Sequence, residues 1–170
     1  SACARISEFF LKAALTLVAA LSLGTPAAAQ PQRVVSMNLC TDQLSMLLAD
    51  PGQLISVTYL AHDPNSSPMV AEARRLPANR GLAEDIVMLR PDLVVARFEP
   101  ENSLDDVAVN LRRMGALLGH EDRAEALVAR FEADRARLAA LAATLPPERA
   151  ALWYARGYTG RRTSLAGDIL

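Results

Sequence analysis

Apolar positions along this chain follow two different periods, and the changes of period mark out its elements. Residues 34–37, apolar at Val34, Val35 and Met37, read as a short strand. Asn38 and Thr41 then offer cap groups for a helix carrying Leu44, Leu47 and Leu48, which Asp50, Pro51 and Gly52 end. A second strand, 54–58, follows at once. This strand-helix-strand order with a short crossover is the unit that builds parallel sheets.

LAHDPNSSPMV, residues 60–70, has no apolar period and reads as a loop. A short helical stretch over 70–75 and a turn region over 76–81 come next. A helix over 82–89 then carries Glu84 and Asp85 in its first turn, where the helix dipole favours acids. Arg90 and Pro91 close it, and 92–96 is the third strand. Three strand ends, near Asn38, Tyr59 and Arg97, are therefore expected on one edge of one sheet.

Beyond Asn102 the period becomes helical. Ser103 is a cap with Asp105 and Asp106 behind it, and Leu104, Val107, Leu111, Met114 and Leu118 share one face up to Gly119. The spacing predicts a long helix over 121–144 with a stripe of Ala124, Leu127, Phe131, Leu138, Leu141 and Leu145. Pro146 and Pro147 stop it. Residues 150–154 read as a strand, 156–163 as a Gly- and Arg-rich turn, and 164–170 as the start of another helix.

Composition narrows the class. With 170 residues, 51% hydrophobic and 22% charged, the chain can bury one sizeable core. A net charge of -1 supplies no basic field for nucleic acid. At the N-terminus, Arg5 and Lys12 precede an uncharged stretch over 13–23, and Ala27, Ala28 and Ala29 follow Gly24 and Pro26. That order reads as a secretory signal peptide over 1–29, too short in its apolar part to span a bilayer. Cys3 would leave with it, so Cys40 stands alone in the mature chain and no intrachain disulfide is expected.

Ligands of open α/β sheets sit outside the carboxyl ends of the strands. The candidate contacts are Asn38, Leu39 and Cys40 after the first strand, Tyr59, His62 and Asp63 after the second, and Arg97 and Phe98 after the third. Arg97 suits a carboxylate or phosphate and Tyr59 a ring. Each also reads as ordinary surface packing, and His62 as a solvated loop histidine. Cys40 lies near a helix start, where a lowered pKa is possible. Cys40, His62 and Asp63 could act as nucleophile, base and orienter, but nothing in their spacing sets that geometry. Two histidines far apart, His62 and His120, make a weak metal site. No glycine-rich phosphate loop occurs.

RVVSMNLCTDQLSMLL, LISVTYLAHDP, NRGLAEDIVMLRPDLVVA, SLDDVAVNLRRMGALLGHEDRAEALVARFEA and ALWYARGYTGRRTSLAGDIL, in that order, resemble the periplasmic substrate-binding proteins of ABC importers for iron-siderophores, haem and cobalamin. The resemblance implies an α/β fold: a parallel-sheet N-terminal lobe over 30–120, a connecting helix over 121–145 and the beginning of a C-terminal lobe over 146–170. It implies a monomeric, non-enzymatic protein without a cofactor, which captures a ferric siderophore, haem or cobalamin in the periplasm and delivers it to permease subunits in the inner membrane. Tyr158, Arg161 and Arg162 would face the cleft from the second lobe. A metal-binding exported protein, or a non-functional fragment of such a binding protein, is the alternative. The resemblance also implies a departure: roughly twenty residues, one crossover helix and a strand, are expected to be absent between Ala96 and Glu99.

Overall fold

The computed structural model describes residues 29–146, 148–154, 157, 159–161 and 163–169. The expected signal peptide, Tyr158 and Arg162 lie outside the described residues. Strands β1 (Val34–Ser36), β2 (Leu54–Thr58), β3 (Ala78–Asn79) and β4 (Leu93–Val95) form one parallel sheet in the order β3-β2-β1-β4. Helices α1 (Leu39–Leu48), α2 (Val70–Ala73), α3 (Ala83–Met88), α4 (Leu104–Leu118), α5 (Glu121–Ala142) and α6 (Leu165–Ile169) connect or follow the strands.

β1 is central because both of its faces are covered: Val34, Val35 and Ser36 are all fully buried. On one face α1 lies against β1 and β2, α4 lies against α1, and α5 against α4. Between them runs a core of Val34, Leu48, Leu54, Val57, Val95, Leu111, Met114, Leu118 and Val128. At ~25 cal/mol per Å² of apolar surface removed from water, this contiguous cluster is the main driving term of the fold.

β3 lies where the apolar pattern predicts only a turn. It is two residues long and carries no hydrophobic run, so its pairing depends on the Asn79 side chain. The Asn79 amide donates to the Ser36 carbonyl at 3.0 Å, to Ser56 Oγ at 2.9 Å and to the Val57 carbonyl at 2.9 Å. The strand expected over 150–154 is corrected too: among the described residues one antiparallel bridge, Trp153 with Thr159, is formed there. β4 pairs with β1 alone and is the edge of the sheet, and 96–102 leads directly into α4.

α4 starts with a capping box. Ser103 Oγ accepts from the Asp106 amide at 3.3 Å, and the Asp106 carboxylate accepts from Ser103 N at 2.9 Å and Asn102 N at 2.8 Å. Gly119 ends the helix at φ +73, a left-handed conformation that glycine adopts without strain. The carbonyl of Leu118 accepts from the Gln53 and Gln30 amides at 2.9 and 3.0 Å, so the helix end is satisfied by the opposite, amino-terminal edge of the sheet. His120 sits at this corner, 2.9 Å from Gln53 Oε1.

The turn at Gly119 brings α5 back against α4 at very close approach. A Cβ on Gly115 would lie 2.4 Å from Ala124 Cβ and 3.2 Å from the His120 carbonyl. Arg112 with Glu125, and Arg135 with Asp105, tie the two helices on the outside. The Arg135 pair lies at the first turn of α4, so the last two turns of α5 extend beyond the start of α4. Of the expected apolar stripe of α5, Ala124 is buried, Leu127 and Phe131 are half-buried, and Leu138 and Leu141 are more than half exposed; Val128, outside that stripe, is the other buried position.

Candidate functional site

All strands being parallel, their carboxyl ends open on one rim. The chain builds outward from β1 to β2 and β3, then crosses to β4 on the other side of β1. The rim between β1 and β4 is therefore the topological switch point, where the loops leaving two neighbouring strands diverge and leave a crevice. Asn38, Leu39 and Cys40 leave β1 there, and Arg97 leaves β4. Tyr59 and His62 leave β2 on the adjacent position.

The side chains at these positions divide by what they already contact. Asn38 is the N-cap of α1, with Oδ1 accepting from Cys40 N at 2.9 Å. Leu39 packs against the core. Tyr59 and Arg97 are exposed on the rim and, among the described residues, their side chains make no hydrogen bond or ion pair. Phe98, expected beside Arg97, is instead buried in the core with the Arg113 guanidinium 4.5 Å above its ring. The 97–102 segment is held over α4 by Asn110, whose amide donates to Glu101 Oε1 at 2.7 Å. Arg161 belongs to a separate stretch and lines a cavity of about 390 Å³ with Ala150, Leu152, Thr159 and Gly167.

Cys40 corrects the expectation of a lowered pKa. Partial burial of its thiol, reinforced by the Glu101 and Asp42 carboxylates, raises it above the ordinary value despite a backbone hydrogen bond. Asp63 is likewise turned to local work, its oxygens accepting from Asn65 N at 3.0 Å and Ser66 Oγ at 2.7 Å. Those bonds, the Ser66 hydroxyl first, hold its carboxyl below the usual range. Cys40, His62 and Asp63 therefore do not present an activated thiol with an oriented base. Beside Cys40 runs a groove of about 430 Å³ lined by Leu44, Leu47, Glu101, Val107, Leu111 and Phe131.

The polar network beneath the rim escapes a reading of hydrophobic pattern. Thr41, Asp42 and Ser45, not the full Leu44, Leu47 and Leu48 set, are the fully buried positions of α1 together with Leu48. Leu47 is 47% exposed. Asp42 Oδ2 accepts from Thr58 Oγ1 at 2.6 Å and Thr58 N at 3.1 Å, joining the first turn of α1 to the end of β2. Ser36 and Thr41 share a 2.7 Å hydroxyl hydrogen bond beside it. Burial pushes the Asp42 carboxyl above its ordinary pKa, against the hydrogen bonds from Thr58.

No family model matches the sequence, and no curated protein matches it. Solved structures do. A periplasmic haem-binding protein from Pseudomonas aeruginosa is similar at TM-score 0.50 and 23% identity over 69% of this chain and 50% of its own. An ABC transporter substrate-binding protein from Listeria monocytogenes reaches TM-score 0.63 at 14% identity, covering 82% and 61%. The periplasmic vitamin B12 binding protein of Vibrio cholerae gives TM-score 0.54 at 15% identity, covering 69% and 53%. The fold is thus that of a lobe of the periplasmic binding proteins, and the chain spans about half to three fifths of the length of these structures.

Proposed function

We propose that the chain is the extracytoplasmic solute-binding component of an ABC importer, which captures a ferric siderophore, haem or cobalamin and passes it to the permease. In this reading 1–29 is a cleaved signal peptide and 30–120 the N-terminal lobe, with 121–145 the connecting helix and 146–170 the opening of a second lobe. The protein is a periplasmic monomer that captures its ligand without chemistry on it. One observation carries the reading. The four parallel strands deliver their loops to one rim with a switch point between β1 and β4, and this fold is shared with proteins described as binding haem or vitamin B12.

The free groups on that rim suit such ligands. Arg97 offers a planar, permanently charged guanidinium to a propionate, phosphate or siderophore carboxylate, and Tyr59 offers a ring face or a phenol oxygen. The test is titration of the chain with haemin, cyanocobalamin and a ferric siderophore, followed by calorimetry and by quenching of Trp153, the only tryptophan. Saturable binding of one of the three is expected, weakened roughly tenfold by Arg97→Ala if one charge-assisted hydrogen bond is lost. No saturable response to any of them, from a chain with the circular dichroism of a folded α/β protein, overturns the reading.

A further inference from the structure

We propose that Asp42 and His62 are a buried positioning pair, bridged by one internal water, that fixes the turn bearing Tyr59 on the rim. The inference rests on the preceding reading for what that turn contacts, but the pair itself is argued from this chain's own hydrogen-bonding inventory. Asp42 is fully buried, and one of its oxygens takes both Thr58 donors. Its other oxygen, Oδ1, is buried and has no hydrogen-bond partner among the described residues; neither has the buried Nε2 of His62.

These two atoms belong to elements that pack together. His62 ends the 3-10 turn Tyr59–His62, and that turn lies against α1, which carries Asp42. A charged His62 ring would favour the ionised Asp42 carboxyl. Buried polar groups in folded proteins are nearly always satisfied, by protein or by an ordered internal water. A carboxylate oxygen can only accept, and an imidazole Nε2 can carry a proton and donate. One water that accepts from Nε2–H and donates to Oδ1 satisfies both at once. Among the described residues no group of three or more His, Cys, Asp or Glu placed to hold a metal ion is formed.

The role follows from where Tyr59 stands. It opens the turn that His62 closes, and Thr58, immediately before it, is the residue held by Asp42. The carboxylate thus grips the turn at both ends, directly at Thr58 and through the water at His62. Asp42 and His62 touch no ligand; they set where Tyr59 points.

The experiment is long-range ¹⁵N–¹H NMR of the histidine rings in the unliganded chain and in Asp42→Asn. In the parent, Nε2 of His62 is expected to carry a proton. In Asp42→Asn the carbonyl oxygen must still face Thr58 N, which turns the amide N–H₂ toward His62. The bridging water then donates to Nε2, and the proton moves to Nδ1. An unprotonated Nε2 in the parent overturns the proposal, and needs no variant to fold. So does an unchanged tautomer in a folded Asp42→Asn, or a shift of the His62 ring signals by stoichiometric zinc alone.

Haemin affinity then tests the positioning. His62→Ala is expected to weaken it roughly tenfold, the worth of one buried hydrogen bond, while His62→Gln, which keeps a donor to the water but is a poor iron ligand, stays near the parent. Equal losses in both variants, or no loss in either, overturn the positioning role. The tautomer readout requires no ligand, so failure of the parent to bind would sink the proposed function and leave the pair standing.

Discussion

Gly115→Ala sets two effects of opposite sign against each other. In the interior of a solvent-facing helix this change stabilises by about 1 kcal/mol, because alanine restricts the unfolded chain and favours the helix. Here the new methyl would sit 2.4 Å from Ala124 Cβ and 3.2 Å from the His120 carbonyl oxygen. Neither neighbour can rotate away: one is a fully buried Cβ and the other is backbone. The helices must separate by about an ångström, which loosens Met114, Leu118 and Val128 along the same contact. Overpacking of that kind costs ~1–3 kcal/mol, and rigid neighbours place it at the upper end.

The net expectation is a loss of about 1–2 kcal/mol. Urea unfolding followed by circular dichroism should read it as a fall of about 0.5–1 M in the midpoint. The cycle is completed by Ala124→Gly and the double variant, in which the two methyls exchange places. The double variant should recover most of the loss, because only the milder His120 contact remains. A Gly115→Ala protein more stable than the parent, or a double variant no better than the sum of the singles, refutes the close crossing of α4 and α5.

Four further outcomes follow from the packing, caps and surface hydrogen bonds described above. Leu118→Ala, at a fully buried position in the main cluster, should lose about 2–5 kcal/mol in the same urea assay. Ser103→Ala should cost about 1 kcal/mol by removing half of the capping box, and Asp106→Asn should lower helicity in the same region. Asp92 accepts from Gln32 N at 2.8 Å and Arg33 N at 2.9 Å, and these bonds hold its carboxyl below the ordinary range. Since the folded value lies below the unfolded one, near ~3.9, its contribution is present above that pH and is lost as pH falls through the folded value. Urea midpoints taken from pH 6 to pH 3 should therefore fall less steeply in Asp92→Asn than in the parent.

Where a stretch of sequence satisfies its own local rules, its element was legible. β2 matches the apolar run at 54–58, α4 matches its Ser103 cap and Gly119 stop, and α5 begins at the acidic turn of Glu121 and Asp122. β3 was not legible, because a two-residue strand held by the Asn79 amide draws on residues more than twenty positions away. The burial of α1 was misjudged for a related reason. Thr41, Asp42 and Ser45 look like a solvent face, and distant partners make their burial tolerable: Ser36 and Thr58 on two strands for Thr41 and Asp42, and Met114 Sδ for Ser45.

The rim itself followed from strand order: Asn38, Cys40, Tyr59, His62 and Arg97 all leave the carboxyl ends of strands. What each side chain does there did not follow. Asn38 and Leu39 are committed to cap and core, and the thiol of Cys40 is shifted away from reactivity. Asp42 carried no local sign of importance, since an acid four residues past a cap is the ordinary composition of a first helical turn.

The distal half of α5 has a consequence for how the molecule breathes. Past Val128 none of the described residues of this helix is buried, and Leu138 and Leu141 face water. Fourteen residues of helix on their own are marginal in water, and half-buried Phe131 and the Arg135–Asp105 pair tether this stretch to α4 only lightly. That arm can therefore melt and reform many times while the central strands stay paired, and backbone amides beyond Phe131 should exchange with solvent orders of magnitude sooner than those of Val34 and Val57.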